Sequence, residues 1–252
     1  MAARARPQRH DDEPAFVLHA YPYRETSVIV ETFARNCGRV ALVAKGARRP
    51  RSELRGLLQG FQPLLLSWSG QLELKTLHKA EWQGGLPLVG GRALLCAFYL
   101  NELLLKLLPR EDPHPQLFAD YQAALADLAA NREEAAILRR FELRLLAALG
   151  YALPLLREAD TGAPVDAATR YHYAFDRGPR RAVQPGERAP LVRGATLLAL
   201  DSGRYPDADT ALEAKRLMRE VLDHYLESRG IESRRIVRDL QALEDEGERG
   251  RP

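Results

Sequence analysis

The chain has 252 residues, 46% apolar and 28% charged, with a formal net charge of +3. That is enough apolar material for a packed core, and at ~150 residues per domain the length admits one or two domains. The composition excludes collagen, a disordered tail and a coiled coil. No run of ~18 uncharged apolar residues is present, so no membrane span is expected. The polar first residues contain no apolar core of a secretory signal. Two cysteines, Cys37 and Cys96, are too few for a disulfide framework or a four-cysteine metal site. In apolar surroundings they are expected as buried, reduced thiols of a cytoplasmic protein.

Charge is spread unevenly. Residues 1–85 carry 13 Lys+Arg against 8 Asp+Glu, and residues 86–252 carry 24 against 26. Between positions 24 and 55, eight basic residues (Arg24, Arg35, Arg39, Lys45, Arg48, Arg49, Arg51, Arg55) face three acidic ones (Glu25, Glu31, Glu53). A basic first third on a near-neutral remainder fits either a polyanion-binding module or a solvated basic face.

In chain order, residues 1–14 lack periodicity and are expected as a flexible tail. Strand character begins at Phe16-Val17-Leu18. After a turn at Tyr21 to Tyr23, Val28, Val30 and Thr32 alternate with Ile29, Glu31 and Phe33. Asn36-Cys37-Gly38 suits a hairpin turn, and residues 40–44 give a third strand. Residues 45–51 form a basic loop, and Ser52 is placed to cap a short helix over 53–59. Residues 61–68 and 72–77, separated by Ser69-Gly70, give two more strands. Three strands, a helix and two strands are the order of the OB-fold, a five-stranded Greek-key barrel that binds oligonucleotides on its strand 2–3 face and loops. An SH3-like barrel also has five short strands but does not predict that helix. The fold class is therefore α+β, with an OB barrel over 15–84 ended by Gly84-Gly85-Leu86-Pro87.

A mainly helical domain is expected over 85–243. Residues 92–108 are apolar nearly all round, as in a central buried helix. Asn101 and Glu102 within it need partners, either in a satisfied core network or in catalysis. Helices follow over 116–130 and 133–149, with Gly150 as the stop. Residues 151–193 are irregular and rich in Pro, Gly and Arg; Tyr171, Tyr173 and Phe175 alternate there and suggest one strand pair. Helical patterns return at 197–200 and 211–226. A last amphipathic segment holds Ile231, Arg234, Arg235, Ile236, Arg238, Leu240 and Leu243, and residues 244–252 read as a frayed tail.

The signatures of catalysis are missing. There is no phosphate-binding Gly-x-x-x-x-Gly-Lys-Ser/Thr, no Gly-x-Gly-x-x-Gly, no His-Glu-x-x-His and no Gly-x-Ser-x-Gly. The six histidines are scattered, with no pair at ligand spacing. No enzyme activity, metal or cofactor is expected.

Certain residues carry a resemblance. Phe16-Val17-Leu18-His19, Tyr23-Arg24-Glu25-Thr26-Ser27, Gly38-Arg39-Val40 and Leu42-Val43-Ala44-Lys45-Gly46-Ala47-Arg48 resemble the amino-terminal part of the bacterial RecO family of recombination-repair proteins. Leu64-Leu65-Leu66, Leu74-Lys75-Thr76-Leu77, Tyr99-Leu100-Asn101-Glu102-Leu103-Leu104, Leu138-Arg139-Arg140-Phe141-Glu142-Leu143 and Leu149-Gly150-Tyr151 continue the match in order, from position 16 to about 240. The resemblance implies a recombination mediator. Such a protein binds single- and double-stranded DNA, anneals complementary strands, works with RecR and often RecF, and helps load RecA onto DNA covered by single-stranded-DNA-binding protein (SSB). It also implies an OB domain followed by a helical domain. Many members carry a four-cysteine zinc site in the second half. Residues 151–193 hold no cysteine, so no zinc is expected and packing alone must hold that region.

Annealing needs a cationic surface that draws phosphates together through counterion release. Lys45, Arg48, Arg49, Arg51 and Arg55 are its expected centre, with Arg24, Arg39 and Lys75 extending it. Tyr21, Tyr23 and Trp68 read either as base-stacking platforms or as barrel packing. The acidic SSB tail, ending in an aromatic residue and a free carboxylate, needs a cation beside an apolar pocket. Arg139 and Arg140 are candidate cations, with Leu117, Phe118 and Tyr121 as the wall if their helices pack antiparallel. Equally, both arginines fit as surface charges paired with Glu134 and Glu142. Against the mediator stand an interaction adaptor whose DNA binding is incidental and a metal-independent nuclease.

Overall fold

A computed structural model describes residues 8–182, 189–226 and 230–235. Five strands come first: β1 (Arg9–Tyr23), β2 (Ser27–Ala34), β3 (Gly38–Ala44), β4 (Leu64–Ser69) and β5 (Leu74–Trp82). They close into a barrel in the order β1-β2-β3-β5-β4, with α1 (Leu54–Leu57) between β3 and β4. The β3–β5 pair is parallel and every other pair antiparallel. This is the OB-fold that the order of strands and helix predicts.

Details differ from the sequence expectation. Arg9 to Glu13 are not tail but strand, because β1 serves two partners. Its first half pairs with β4, Arg9 opposite Ser69 and Glu13 opposite Leu66, and its second half pairs with β2. The expected tail residues 1–7 and 244–252 lie outside the described residues, as do Ile236, Arg238, Leu240 and Leu243. Tyr21 and Pro22 stay in the strand opposite Ile29 and Val28, which moves the turn to Arg24, at φ 52°. Ser52 does not cap α1. Glu53 holds that position without a side-chain bond, and the Ser52 N–H donates to the Arg49 carbonyl at 3.0 Å.

Strand alternation sorts side chains to two faces. Val30, Ala34, Val40, Leu42, Leu64, Leu66, Trp68 and Ala80 fill the barrel interior. Phe16, Ile29, Glu31, Phe33 and Val43 alternate with interior positions and point outward, yet all are buried. Cover for Phe16, Phe33 and Glu31 comes from α3 (Pro115–Ala129) and from the connector that joins it to α2 (Gly91–Leu107). Phe16 and Phe33 pack against Phe118 and Tyr121 of α3, with centroids 5.1–6.2 Å apart. Asn101 on α2 donates to the Leu18 carbonyl of β1 at 2.8 Å and accepts from the Tyr121 hydroxyl, so one buried amide ties barrel, α2 and α3 together. Gly38, at φ +67°, lies against the connector. A Cβ there would meet the Asp112 carbonyl oxygen at 2.1 Å, so only glycine fits.

The chain divides into two compact units, 1–130 with 232–252, and 131–231. By their contacts α2 and α3 group with the barrel expected over 15–84, whose surface α3 covers. Residues 232–235 begin a helical turn against α2. The Glu102 carboxylate accepts from the Glu232 and Ser233 N–H groups at 2.7 and 2.8 Å and from the Ser233 hydroxyl at 2.7 Å, an anion where free N–H groups need one. In the second unit are α4 (Glu134–Ala148), α5 (Gly194–Ser202), α6 (Ala208–Tyr225) and a sheet of β6 (Arg170–Ala174), β7 (Gly178–Arg181) and β8 (Leu191–Arg193). The sheet order is β7-β6-β8, one strand more than the alternation of Tyr171 and Tyr173 suggests.

Asn101→Ala leaves the Leu18 carbonyl and the Tyr121 hydroxyl buried without their partner. Urea denaturation should show a loss of about 2 kcal/mol or more.

Candidate nucleic-acid interface

Pairing places the turns at two ends of the barrel. At the end of the β2–β3 turn, every predicted cation is engaged. Arg39 donates through Nε to the Leu108 carbonyl at 3.0 Å and lies 3.5 Å from Glu31. Arg110 of the connector reaches the same carboxylate at 2.6 Å. Lys75, 5% exposed, pairs with Glu111 and donates to the Leu72 carbonyl at 3.3 Å. Burial holds the Arg39 pKa below its ordinary value, with Glu31 opposing the shift. Arg39 and Lys75 thus do not extend the basic patch. They dock the α2–α3 connector, and the outer β2–β3 surface that OB-folds commonly offer to oligonucleotides is covered by this chain's own residues.

The other end is different. Arg24, Lys45, Arg48, Arg49, Arg51 and Arg55 are all exposed. Among the described residues none of the six makes an ion pair. Backbone bonds shape the loop. The Arg48 N–H donates to the Thr26 carbonyl at 2.9 Å, and its guanidinium lies 3.4 Å from the Arg24 and Glu25 carbonyls. The Arg49 N–H donates to Gly46 at 3.0 Å. Ala47, 3% exposed, inserts into the barrel core and pins the loop between its arginines. The β1–β2 turn and the loop after β3 therefore present one cationic rim. Its like charges repel one another within a Debye length, a cost that a bound polyanion relieves.

Of the aromatic candidates, Trp68 is fully buried and stacked on His10 with centroids 5.0 Å apart, so it is barrel core. Tyr21 is partly exposed, and the Arg24 guanidinium lies 5.1 Å from the Tyr23 ring centroid. Trp82, which the sequence reading passed over by ending the last strand at 77, is 59% exposed.

Of the residues expected to take the SSB tail, the three apolar ones fall in the first unit and the two arginines in the second. Leu117, Phe118 and Tyr121 are buried within the first unit, the latter two against Phe16 and Phe33. Arg139 belongs to the second unit and is buried with Glu142, its ion-pair partner one turn on. Arg140 is exposed, and Arg139 meets the pairing reading. The apolar stripe of α3 was read correctly, but its partner is the barrel. Cys37 and Cys96 are half-buried thiols that form no disulfide. Burial, with help from Glu13, pushes the Cys37 thiol up to about 11, which removes its nucleophilic form at neutral pH.

The whole chain matches known proteins. The family model described as Recombination protein O N terminal matches residues 11–85, and Recombination protein O C terminal matches 90–235. The chain belongs to the RecO family. The DNA repair protein RecO of Aromatoleum aromaticum is 52% identical, with 94% of this chain and 98% of that protein covered. The DNA repair protein RecO of Nitrosospira multiformis is 52% identical over the same shares. That of Dechloromonas aromatica is 53% identical over 92% of this chain and 97% of its own length. Membership places the chain among DNA repair proteins with a role in recombinational repair.

In this RecO-family chain the irregular part of the second unit is organised around a carboxylate. Glu158, 4% exposed, accepts from the Thr161 hydroxyl and Arg181 Nε, each at 2.6 Å, and from the Tyr171 hydroxyl at 3.2 Å. Tyr171 in turn accepts from the Asp166 N–H at 2.9 Å. Gly194 lets the chain pass, since a Cβ would meet the Asp166 carbonyl oxygen at 1.9 Å. Among the described residues no three His, Cys, Asp or Glu side chains are grouped to hold a metal.

The bonds from Thr161 and Arg181 hold the Glu158 carboxyl below its ordinary value of 4.5. A lowered folded pKa contributes stability that is present above pH 4.5 and lost as pH falls through the folded value. Glu158→Gln should therefore lower the melting temperature by several degrees at pH 7, with the gap to wild type closing as pH drops below 4.5. Washing with a chelator should leave the wild-type melting temperature unchanged, and metal analysis should find no stoichiometric zinc.

Proposed function

We propose that this protein is a recombination mediator that holds DNA on the cationic rim of its barrel, anneals complementary strands, and helps load RecA onto SSB-coated single strands. The supporting observation is the division of cations between the two barrel ends. Where Arg39, Lys75 and Arg110 are neutralised by Glu31 and Glu111, the rim of Arg24, Lys45, Arg48, Arg49, Arg51 and Arg55 carries no paired carboxylate among the described residues. A strand entering that rim replaces its own condensed counterions with guanidinium groups, and the released ions drive binding. Phosphate contacts carry no base information, so single strands and duplexes of any sequence qualify.

Annealing on this surface requires no bond to be made or broken. Two phosphate backbones repel, and a row of cations between them lowers that repulsion while leaving bases free to pair. No catalytic residue is needed. The working partners in this reading are RecR, RecF and SSB, with RecA as the beneficiary, in the bacterial cytoplasm. The acidic SSB tail meets a surface other than the buried Arg139 pair.

Replacing Arg48, Arg49 and Arg51 together by Ala should weaken binding to all sequences alike. It should also reduce the slope of log affinity against log salt by up to about three units. A folded variant with an unchanged slope would move the DNA site off the rim.

A further inference from the structure

Trp82 is an exposed indole held in a fixed pose. It ends β5 opposite Leu64, two positions beyond Ala80, whose side chain faces the barrel core. Its Nε1 donates to the Gln62 amide oxygen at 3.1 Å. Gly84 takes φ +71° as the chain turns past, and a Cβ there would come within 3.9 Å of the ring, so the glycine leaves that side of the indole open. The indole N–H is thus satisfied, yet the residue is 59% exposed. A surface tryptophan with a satisfied N–H and a positioned ring is preorganised for stacking.

Its location ties it to the cationic rim. Leu54, Leu57 and Leu58, in and just after α1, pack on the barrel core that Ala80 and Leu64 line, and α1 packs against β5. Trp82 therefore stands at the barrel mouth that α1 covers. The same helix carries exposed Arg55, and exposed Arg51 precedes it by three residues. An exposed aromatic side chain on the strand that the arginine-bearing helix packs against matches single-stranded nucleic acid, whose bases stack while its phosphates are neutralised. An apolar protein segment would leave those charges without partners, and a duplex keeps its bases stacked inside.

We infer that Trp82 is a stacking platform for an unpaired base of a single strand held on the rim. The inference rests on the rim reading above, which on phosphate contacts alone does not distinguish single strands from duplexes. Trp82 supplies the preference.

The test uses the full chain, a thymidine oligonucleotide and a duplex of equal length, each titrated over a range of salt. Trp82→Ala should weaken the oligonucleotide about tenfold with its salt slope unchanged, and leave the duplex unaltered. Trp82→Phe should recover most of the loss. Trp68 is the other tryptophan and is buried, so saturating oligonucleotide should change wild-type fluorescence and leave that of Trp82→Phe unmoved. Should Trp82→Ala fail to fold, that fluorescence comparison decides alone. Wild-type affinity in a folded Trp82→Ala, equal losses on single strand and duplex, or fluorescence unmoved at saturation would each overturn the inference and leave the ring to a protein partner. If the oligonucleotide binds Trp82→Ala normally but not the Arg48, Arg49 and Arg51 variant, the rim stands and the platform falls. If it binds wild type not at all, both fall.

Discussion

Phe16 and Phe33 point away from the barrel interior, and much of the first unit follows from having to bury them. A barrel strand normally turns one face to its core and the other to water. Here β1 and β2 carry aromatic and aliphatic side chains on both faces, so the outer face requires a second layer. Phe118 and Tyr121 of α3 supply it, and the helices must then lie over β1 and β2. Asn101 satisfies the polar atoms trapped in that contact. Gly38 exists so that the connector can reach the sheet.

That covering decides which cations stay in water. Once the connector lies across β2 and β3, the flat strand surface is closed, and the cations near it become internal ion pairs. The loops at the far end keep their charge in water. Chemically identical guanidinium groups thus have two fates. Arg39 neutralises a carboxylate that the fold has buried, and Arg48 stays exposed to water. The distinction matters energetically because a buried carboxylate such as Glu31 without its arginines would be expensive, whereas an exposed arginine is solvated and costs only the screened repulsion of its neighbours.

The second unit meets a related problem with different means. Its short strands and turns are gathered around Glu158, which accepts hydrogen bonds from Thr161, Arg181 and Tyr171. The cost is sensitivity to acid, since a carboxyl group that has gained a proton no longer organises its neighbours.

Much of this was open to reading in the sequence. Alternation and turn residues are local signals, and they determined the strand order, the helix between β3 and β4, and the helices from α2 to α4. An ordered set of short motifs also carried the family. The basic loop was legible because five of its cations are close together in the chain. What the sequence could not decide was which charges pair across long separations. Lys75 meets Glu111 and Glu31 meets Arg110 only after the barrel closes and the connector returns to it. Likewise the apolar stripe of α3 announces burial but not its partner, so Phe118 was assigned to a pocket when the barrel had already claimed it. Trp82 escaped notice because exposure is set by what the fold leaves uncovered. Periodicity reports which face is apolar and clustering reports where charge is dense, and both are properties of neighbours in sequence. Which carboxylate, ring or layer comes to lie against them is a property of neighbours in space, and the closed barrel with its helical cover decided it.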